Sequence, residues 1–213
     1  MPFSFCRSLV SILISTLSAH SACAHAQGSA YPVKSIRFQV GVAPGGGTDF
    51  AARLIGARLA EKFGQPVITD NRAGATGNIA LELTAEAAPD GYTFVVFNLG
   101  HLTSALLPRN ARIDAARDFP AVSPIATGNL MLATRANVAA CNLKDCAAFA
   151  RTQPGQMNYG AGGLASTHHL AMELLKREAR LDLIHGPYQG TGPIALDLVS
   201  GQIRAAISNR LGL

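Results

Sequence analysis

Residues 40–64 read "VGVAPGGGTDFAARLIGARLAEKFG". An apolar run ends on three consecutive glycines, Gly45, Gly46 and Gly47, and a segment of helical periodicity follows. The spacing places Phe50, Leu54, Ile55, Leu59 and Phe63 on one side of that helix, and Gly64 stands where a helix commonly stops. Glycine lets the backbone approach a ligand closely. Thr48 or Asp49 is placed to cap the helix. The first N–H groups of a helix lack internal partners and sit at the positive end of its dipole, so this unit suits an anion. The same unit also serves as a plain strand-to-helix turn, and the loop alone does not decide between the two. A nucleotide loop of the Walker type is excluded, because Gly47 is followed by Thr48 and Asp49 with no lysine.

Working outward, short apolar runs alternate with helical segments. Strands are expected at 36–42, 66–69, 92–98, 130–135, 157–163, 183–188 and 203–208. Helices are expected from Phe50 to Phe63 and at 78–88, 143–152, 166–179 and 191–200. This alternation argues for an α/β architecture with largely parallel sheets. Glycine loops follow three strands, at 44–49, 70–77 and 160–165, where ligands of such sheets gather. A shift of composition at 120–128 marks a candidate crossover between domains.

The start of the chain reads as a leader. Arg7 precedes the apolar "LVSILISTL", and Ala24-His25-Ala26 forms a small-residue cleavage site. Residues 1–26 are read as a signal peptide cut before Gln27, with a lipoprotein cut before Cys23 as the weaker alternative. The formal charge falls from +5 to +4 on removing Arg7. No Lys/Arg cluster with interleaved aromatics exists, so nucleic-acid binding is not expected. Cys141 and Cys146, in "CNLKDC", remain after cleavage, and a small disulfide between them is the favoured reading in an oxidising compartment.

Three further constellations are candidates for chemistry. Gly160-Ala161-Gly162-Gly163-Leu164-Ala165 fits a dinucleotide fingerprint, with Asp182 at the spacing of a ribose-binding acid. His169 and Glu173 share a helical face upstream of His185, but no complete metal-ligand set is present. The G-x-S-x-G elbow of hydrolases is missing, and Asp49 has no partner acid for glycoside chemistry. No cofactor is expected.

Ordered segments along the mature chain resemble one family. "YPVKSIRFQVGVAPGGGTDFAARLIGARLAEKFGQPVITDNRAGATGNIALELTAEAAPDGYTF", "DFPAVSPIAT", "QPGQMNYGAGGLASTHHLAMELL" and "HGPYQGTGPIALDLVSGQI" are similar to the substrate-binding proteins of tripartite tricarboxylate transporters, the Bug family. The resemblance implies a two-lobed periplasmic binding protein of Venus-flytrap type, monomeric, closing on a small carboxylate and passing it to membrane permease subunits without catalysis. It implies a first lobe at 27–124 and a second at 125–213. The carried-over ligand contacts are Gly45, Gly46, Thr48 and Asp49 in the first loop and Thr76, Gly77 and Asn78 in the second. Asn98 and His101 belong to a further cleft loop, Gly163, Ser166 and His169 to the second lobe, and Tyr188 and Gly190 to the segment facing the cleft.

Two departures bear on that expectation. Gly41 and Val42 stand where the family often has proline and phenylalanine, which removes an aromatic wall against the ligand. The sequence also stops about a hundred residues short of the family's usual length, a large part of an ordinary domain, which leaves the second lobe and the return to the first incomplete. A shortened, non-functional copy is one expectation from this. An exported dinucleotide-binding enzyme using the Gly160 loop and a ligand-presenting sensor are the alternative functions.

Overall fold

The computed structural model describes residues 31–104, 113–136, 138 and 142–210. The expected leader at 1–26 and Cys141 lie outside the described residues. Seven strands form two sheets. The first contains β1 (Ile36–Val40), β2 (Val67–Asn71) and β3 (Thr93–Val96) in the order β2-β1-β3, all parallel. Between them run α1 (Gly47–Phe63), a 3-10 turn (Ala75–Gly77) and α2 (Asn78–Ala85). Phe38 of β1 lies opposite Thr69 and Phe94, and the two phenylalanine rings meet edge to face at 6.1 Å.

Two short helices follow that the sequence pattern did not show, α3 (Leu99–Ser104) and α4 (Ala115–Asp118). Residues 120–129 then run without helix or strand, every one of them exposed, into β4 (Leu130–Thr134). The second sheet continues with α5 (Leu143–Thr152), β5 (Met157–Gly162), α6 (Thr167–Ala179), β6 (Leu183–Tyr188), α7 (Thr191–Ser200) and β7 (Ala205–Asn209). Its order is β4-β7-β5-β6. β5 is parallel to β6 and β7, whereas β4 runs antiparallel to β7. The pairing is largely parallel, as expected, with β4 the exception because that strand enters from the first sheet and not through a βαβ unit of the second.

Each sheet holds its own core. Ile36, Phe38, Val40, Ala52 and Val96 pack the first. In the second, Met157, Tyr159, Met172, Leu183 and Ile207 pack one cluster, and Ile194, Leu198, Ile203 and Ala206 pack another beneath α7. The burial of α1 corrects the expectation from periodicity. Phe50 and Leu54 are half exposed, and the buried positions are Gly47, Asp49, Ala52 and Gly56. A Cβ on Gly56 would meet Val67 at 3.2 Å, so the helix lies closest to the sheet through its small residues, with Ile55 and Leu59 partly buried against the core and Phe50 and Leu54 turned outward. Gly64 closes α1 in the left-handed conformation (φ 65°), as its position in the sequence suggested.

Cys146 is a free thiol in this structure. It faces the core of the second sheet among Ala147, Ala150 and Met157, beside an apolar cavity of ≈ 10 Å³. α5 directs this side chain inward, and burial pushes the thiol pKa up. Among the described residues no helix is long and apolar enough to cross a membrane. Replacing the fully buried Met172 by alanine is expected to cost about 2–5 kcal/mol in denaturant unfolding. Val199→Ala, at a position 87% exposed, should stay within about 0.5 kcal/mol.

Candidate functional site

The carboxyl ends of β1, β2 and β3 open into the loops at 41–47, 72–77 and 97–98, and those of β5 and β6 into the loops at 163–166 and 189–190. These two sets of loops touch along two seams. In the first seam the Ala43 N–H donates to the Gln189 carbonyl at 2.8 Å, and the Gly47 N–H lies 3.4 Å from Thr191 Oγ1. A Cβ on Gly46 would strike Thr191 Oγ1, and one on Gly192 would strike the Pro44 carbonyl. Gly47 lies directly against the side-chain amide of Asn209. The approach is a matter of glycine against glycine, and it brings the N-termini of α1 and α7 face to face.

Neither of those N-termini is capped by the residue at its own cap position, which is Gly46 for α1 and Gly190 for α7; across the seam Thr191 Oγ1 accepts from the Gly47 N–H. The expectation that Thr48 or Asp49 caps α1 is therefore corrected. Asp49 is turned away, buried, and held by three partners. It accepts from the Gly45 N–H at 3.0 Å, from Arg53 Nε at 3.0 Å and from Asn71 Nδ2 at 2.9 Å. The Asn71 amide also donates to the Val42 carbonyl and accepts from Arg53 Nη2. Burial pushes the Asp49 carboxyl up, but these donors outweigh it and hold the group below the ordinary carboxylate range. The network pins the loop at 42–45 to α1 and β2. It also occupies the Gly45 N–H, which the sequence had offered to a ligand.

In the second seam Thr103 Oγ1 donates to the Ala165 carbonyl at 2.6 Å, and a Cβ on Gly163 would come 2.9 Å from Thr76 Oγ1. Gly100 approaches the Cα of Ser166. Three non-glycine residues with positive φ cluster here: Ala75 (48°), Thr76 (58°) and Ala165 (61°). Such backbone costs on the order of 1–3 kcal/mol per residue and persists only where its surroundings enforce it. Behind Thr76, the buried His101 ring fills the space that a side chain on Gly41 or Gly77 would need, and its Nδ1 accepts from the Asn98 N–H at 3.0 Å.

Ser166 caps α6, its Oγ accepting from the His169 N–H at 3.2 Å. The Ala165 N–H donates to His169 Nδ1 at 3.3 Å, which leaves the proton of the neutral ring on Nε2, 3.9 Å from Glu173. The His169 ring stacks on His185 at 4.3 Å, and His185 stacks on Tyr159. Tyr159 and Lys176 both donate to Glu173. Among the described residues no group of three His, Cys, Asp or Glu side chains is arranged to hold a metal.

The residues singled out from the sequence thus divide. Gly46, Thr76, Gly77, Gly163, Ser166 and Gly190 lie at or beside the seams, Thr48 opens α1 next to Gly47, and Asn78 opens α2 behind Gly77. Asn98 and His101 support the second seam from behind. Tyr188 does something else: its hydroxyl donates to Asp197 on α7 and its ring packs on the cluster of Ile194, Leu198 and Ile203, with its pKa pushed up to about 12 by burial and by Asp197. The dinucleotide reading of Gly160 also loses its geometry. Gly160 lies inside β5, opposite Gly186 and Ala206, where Ile203 and Ile194 would strike a side chain. Thr191, Asn209, Gln189, Thr103, Arg53 and Asn71 belong to the site but were not foreseen. Thr191, directly after Gly190 at a helix start, carried a readable signal; Asn209 carried none.

Comparison with known proteins identifies the family of the chain. Residues 51–211 match the family described as tripartite tricarboxylate transporter family receptor. A UPF0065 protein of Bordetella pertussis is 34% identical over 210 residues, covering 96% of this chain and 62% of its own. Protein BugT of the same organism is 34% identical over 184 residues, covering 84% and 56%. Among solved structures, R. palustris Rpa4515 with adipate superposes with a TM-score of 0.81 at 37% identity, covering 84% of this chain and 60% of that one. MatC (Rpa3494) from Rhodopseudomonas palustris with bound malate gives 0.77 at 31% identity, covering 84% and 61%. The chain therefore spans less than two thirds of the length of these relatives.

Two outcomes follow from the geometry. Gly77→Ala forces a side chain into the His101 ring at a φ of 91° and should destabilise the fold by about 2–4 kcal/mol in denaturant unfolding. His101, His168, His169 and His185 are all held below the ordinary histidine value of 6.5, chiefly by burial. The unfolded chain then binds protons that the folded chain refuses, so stability is full above about pH 6.5 and falls as the pH drops below it. Melting temperatures measured between pH 8 and pH 5 should decline on the acid side, and less steeply in His101→Asn.

Proposed function

The chain belongs to the tripartite tricarboxylate transporter receptor family, and from that premise we propose that it is a periplasmic solute-binding protein for a small carboxylate. The observation that carries this reading is the pair of N-termini of α1 and α7, with glycine at both cap positions, brought together at Gly46, Gly47 and Thr191. Each helix end carries about half a positive charge. Bringing two such ends together is unfavourable, and an anion beside them relieves the repulsion by accepting from N–H groups of their first turns.

In this reading the lobes are residues 27–124 and 125–213, and the ligand is held between the loops of each. Gly46, Thr48, Thr76, Gly77 and Asn78 act from the first lobe, and Gly163, Ser166, Gly190 and Thr191 from the second. Asp49, His101, His169 and Asn98 hold these loops in shape. Closure is favoured by ligand only to the extent that both lobes touch it. The bound acid is then delivered to membrane permease subunits, and no covalent chemistry takes place. The relatives solved with adipate and malate make a dicarboxylate the first ligand class to test.

The test is thermal unfolding of residues 27–213 with adipate, malate and a wider panel of small acids. A true ligand at a hundred times its Kd should stabilise the fold by about 2.7 kcal/mol. Thr48→Val should weaken the effective acid by about 1–3 kcal/mol, since a hydrogen-bonding partner is left unsatisfied. A cooperatively folded chain whose melting no acid in the panel raises would overturn the proposal.

A further inference from the structure

We propose that Arg53 is the residue that makes the α1 loop acceptable to an anion, by cancelling the carboxylate of Asp49 in the same turn. The inference rests on the anion-binding reading above. Asp49 is the third residue of α1, its side chain is 5% exposed, and it accepts from the N–H of Gly45 in the glycine loop itself. A carboxylate there cancels the positive helix end and, uncompensated, leaves the mouth of the loop net negative. A dicarboxylate would then meet like charge within a few ångströms, in surroundings partly shielded from water.

Arg53 is one helical turn on. Its Nε reaches both Asp49 oxygens at 3.0 Å and its Nη2 reaches Asn71 Oδ1 at 2.9 Å. Among the described residues it is the one cation within ion-pair distance of Asp49. Arg72 and Arg37 are committed to Asp70. With Arg53 in place the turn as a whole stays positive while Asp49 and Asn71 keep the loop in shape. The pair thus separates two tasks that conflict: an oxygen acceptor is needed at position 49 to tie the loop down, and no net negative charge can be left where the ligand arrives. Half of the Arg53 side chain is exposed, so the pair lies at the edge of the site and not in the core.

Three variants of the chain test this with adipate and malate as probes: R53M, D49N and D49N/R53M. In calorimetry R53M should bind the effective acid about ten-fold or more weakly, with a smaller loss at high salt. The double variant should recover to within about three-fold of the wild type, because the uncompensated charge is gone. If Arg53 only braces the loop, the double variant will bind no better than R53M, and that result overturns the proposal. Should neither acid bind the wild-type chain, the functional reading fails by itself. The proposal is then decided by the NMR titration of the Asp49 carboxyl, which should rise above its ordinary range in R53M; an unmoved titration overturns it.

Discussion

Two helices point their positive ends at each other across the junction of the sheets, and much of the surrounding structure follows from that constraint. Like partial charges repel, and the ordinary remedy, a serine or aspartate cap, is missing at Gly46 and Gly190. Side chains at these points would also hold the helices apart. Glycine solves the steric half of the problem, since Gly46, Gly47 and Gly192 bring backbone directly against Thr191, Asn209 and Pro44. The electrostatic half is left to whatever occupies the site, and under the proposed function a small carboxylate has the right sign.

The second seam is built on a different principle. Where the first relies on absent side chains, the second holds residues in conformations that they avoid elsewhere. Ala75, Thr76 and Ala165 all sit at positive φ, and histidine rings brace the backbone at Gly77 and Ala165. The His101 ring stands behind Gly77, and His169 accepts from the Ala165 N–H. Both histidines are kept neutral by burial, so the bracing depends on imidazole as an acceptor and not as a cation. A rigid, prestrained loop loses little entropy when a ligand arrives, which is the usual advantage of preorganisation.

Much of this was legible in the sequence. Alternating apolar runs and helical segments gave the strands and helices of both sheets, in places to the residue, as at Leu143–Thr152 and Leu183–Tyr188. The glycine loops marked the end of the sheets where the two sets of loops meet, because few other residues permit such close approach. Reading failed where the decisive fact was a contact distant in sequence. Nothing near Phe50 or Leu54 says that Gly56 will rest on Val67 and rotate them outward. Asp49 looked like a cap because caps are local, but its partners include Asn71, twenty-two positions on. Tyr188 looked like a cleft residue because its neighbours are, yet its hydroxyl answers Asp197 on the helix behind it.

The connection at 120–129 has a consequence of another kind. It is extended, wholly exposed, and joined to neither ladder, although the chain must pass through it to get from one sheet to the other. Proteases bind their substrates as extended strands, and exposed segments of this kind are where they cut. A cut here would leave every described strand pairing of both sheets intact while breaking the chain between them. Among the described residues, the halves would then be held by the contacts of the two seams. Whether a nicked chain stays together thus measures, without any mutation, how strongly the two sets of loops hold each other.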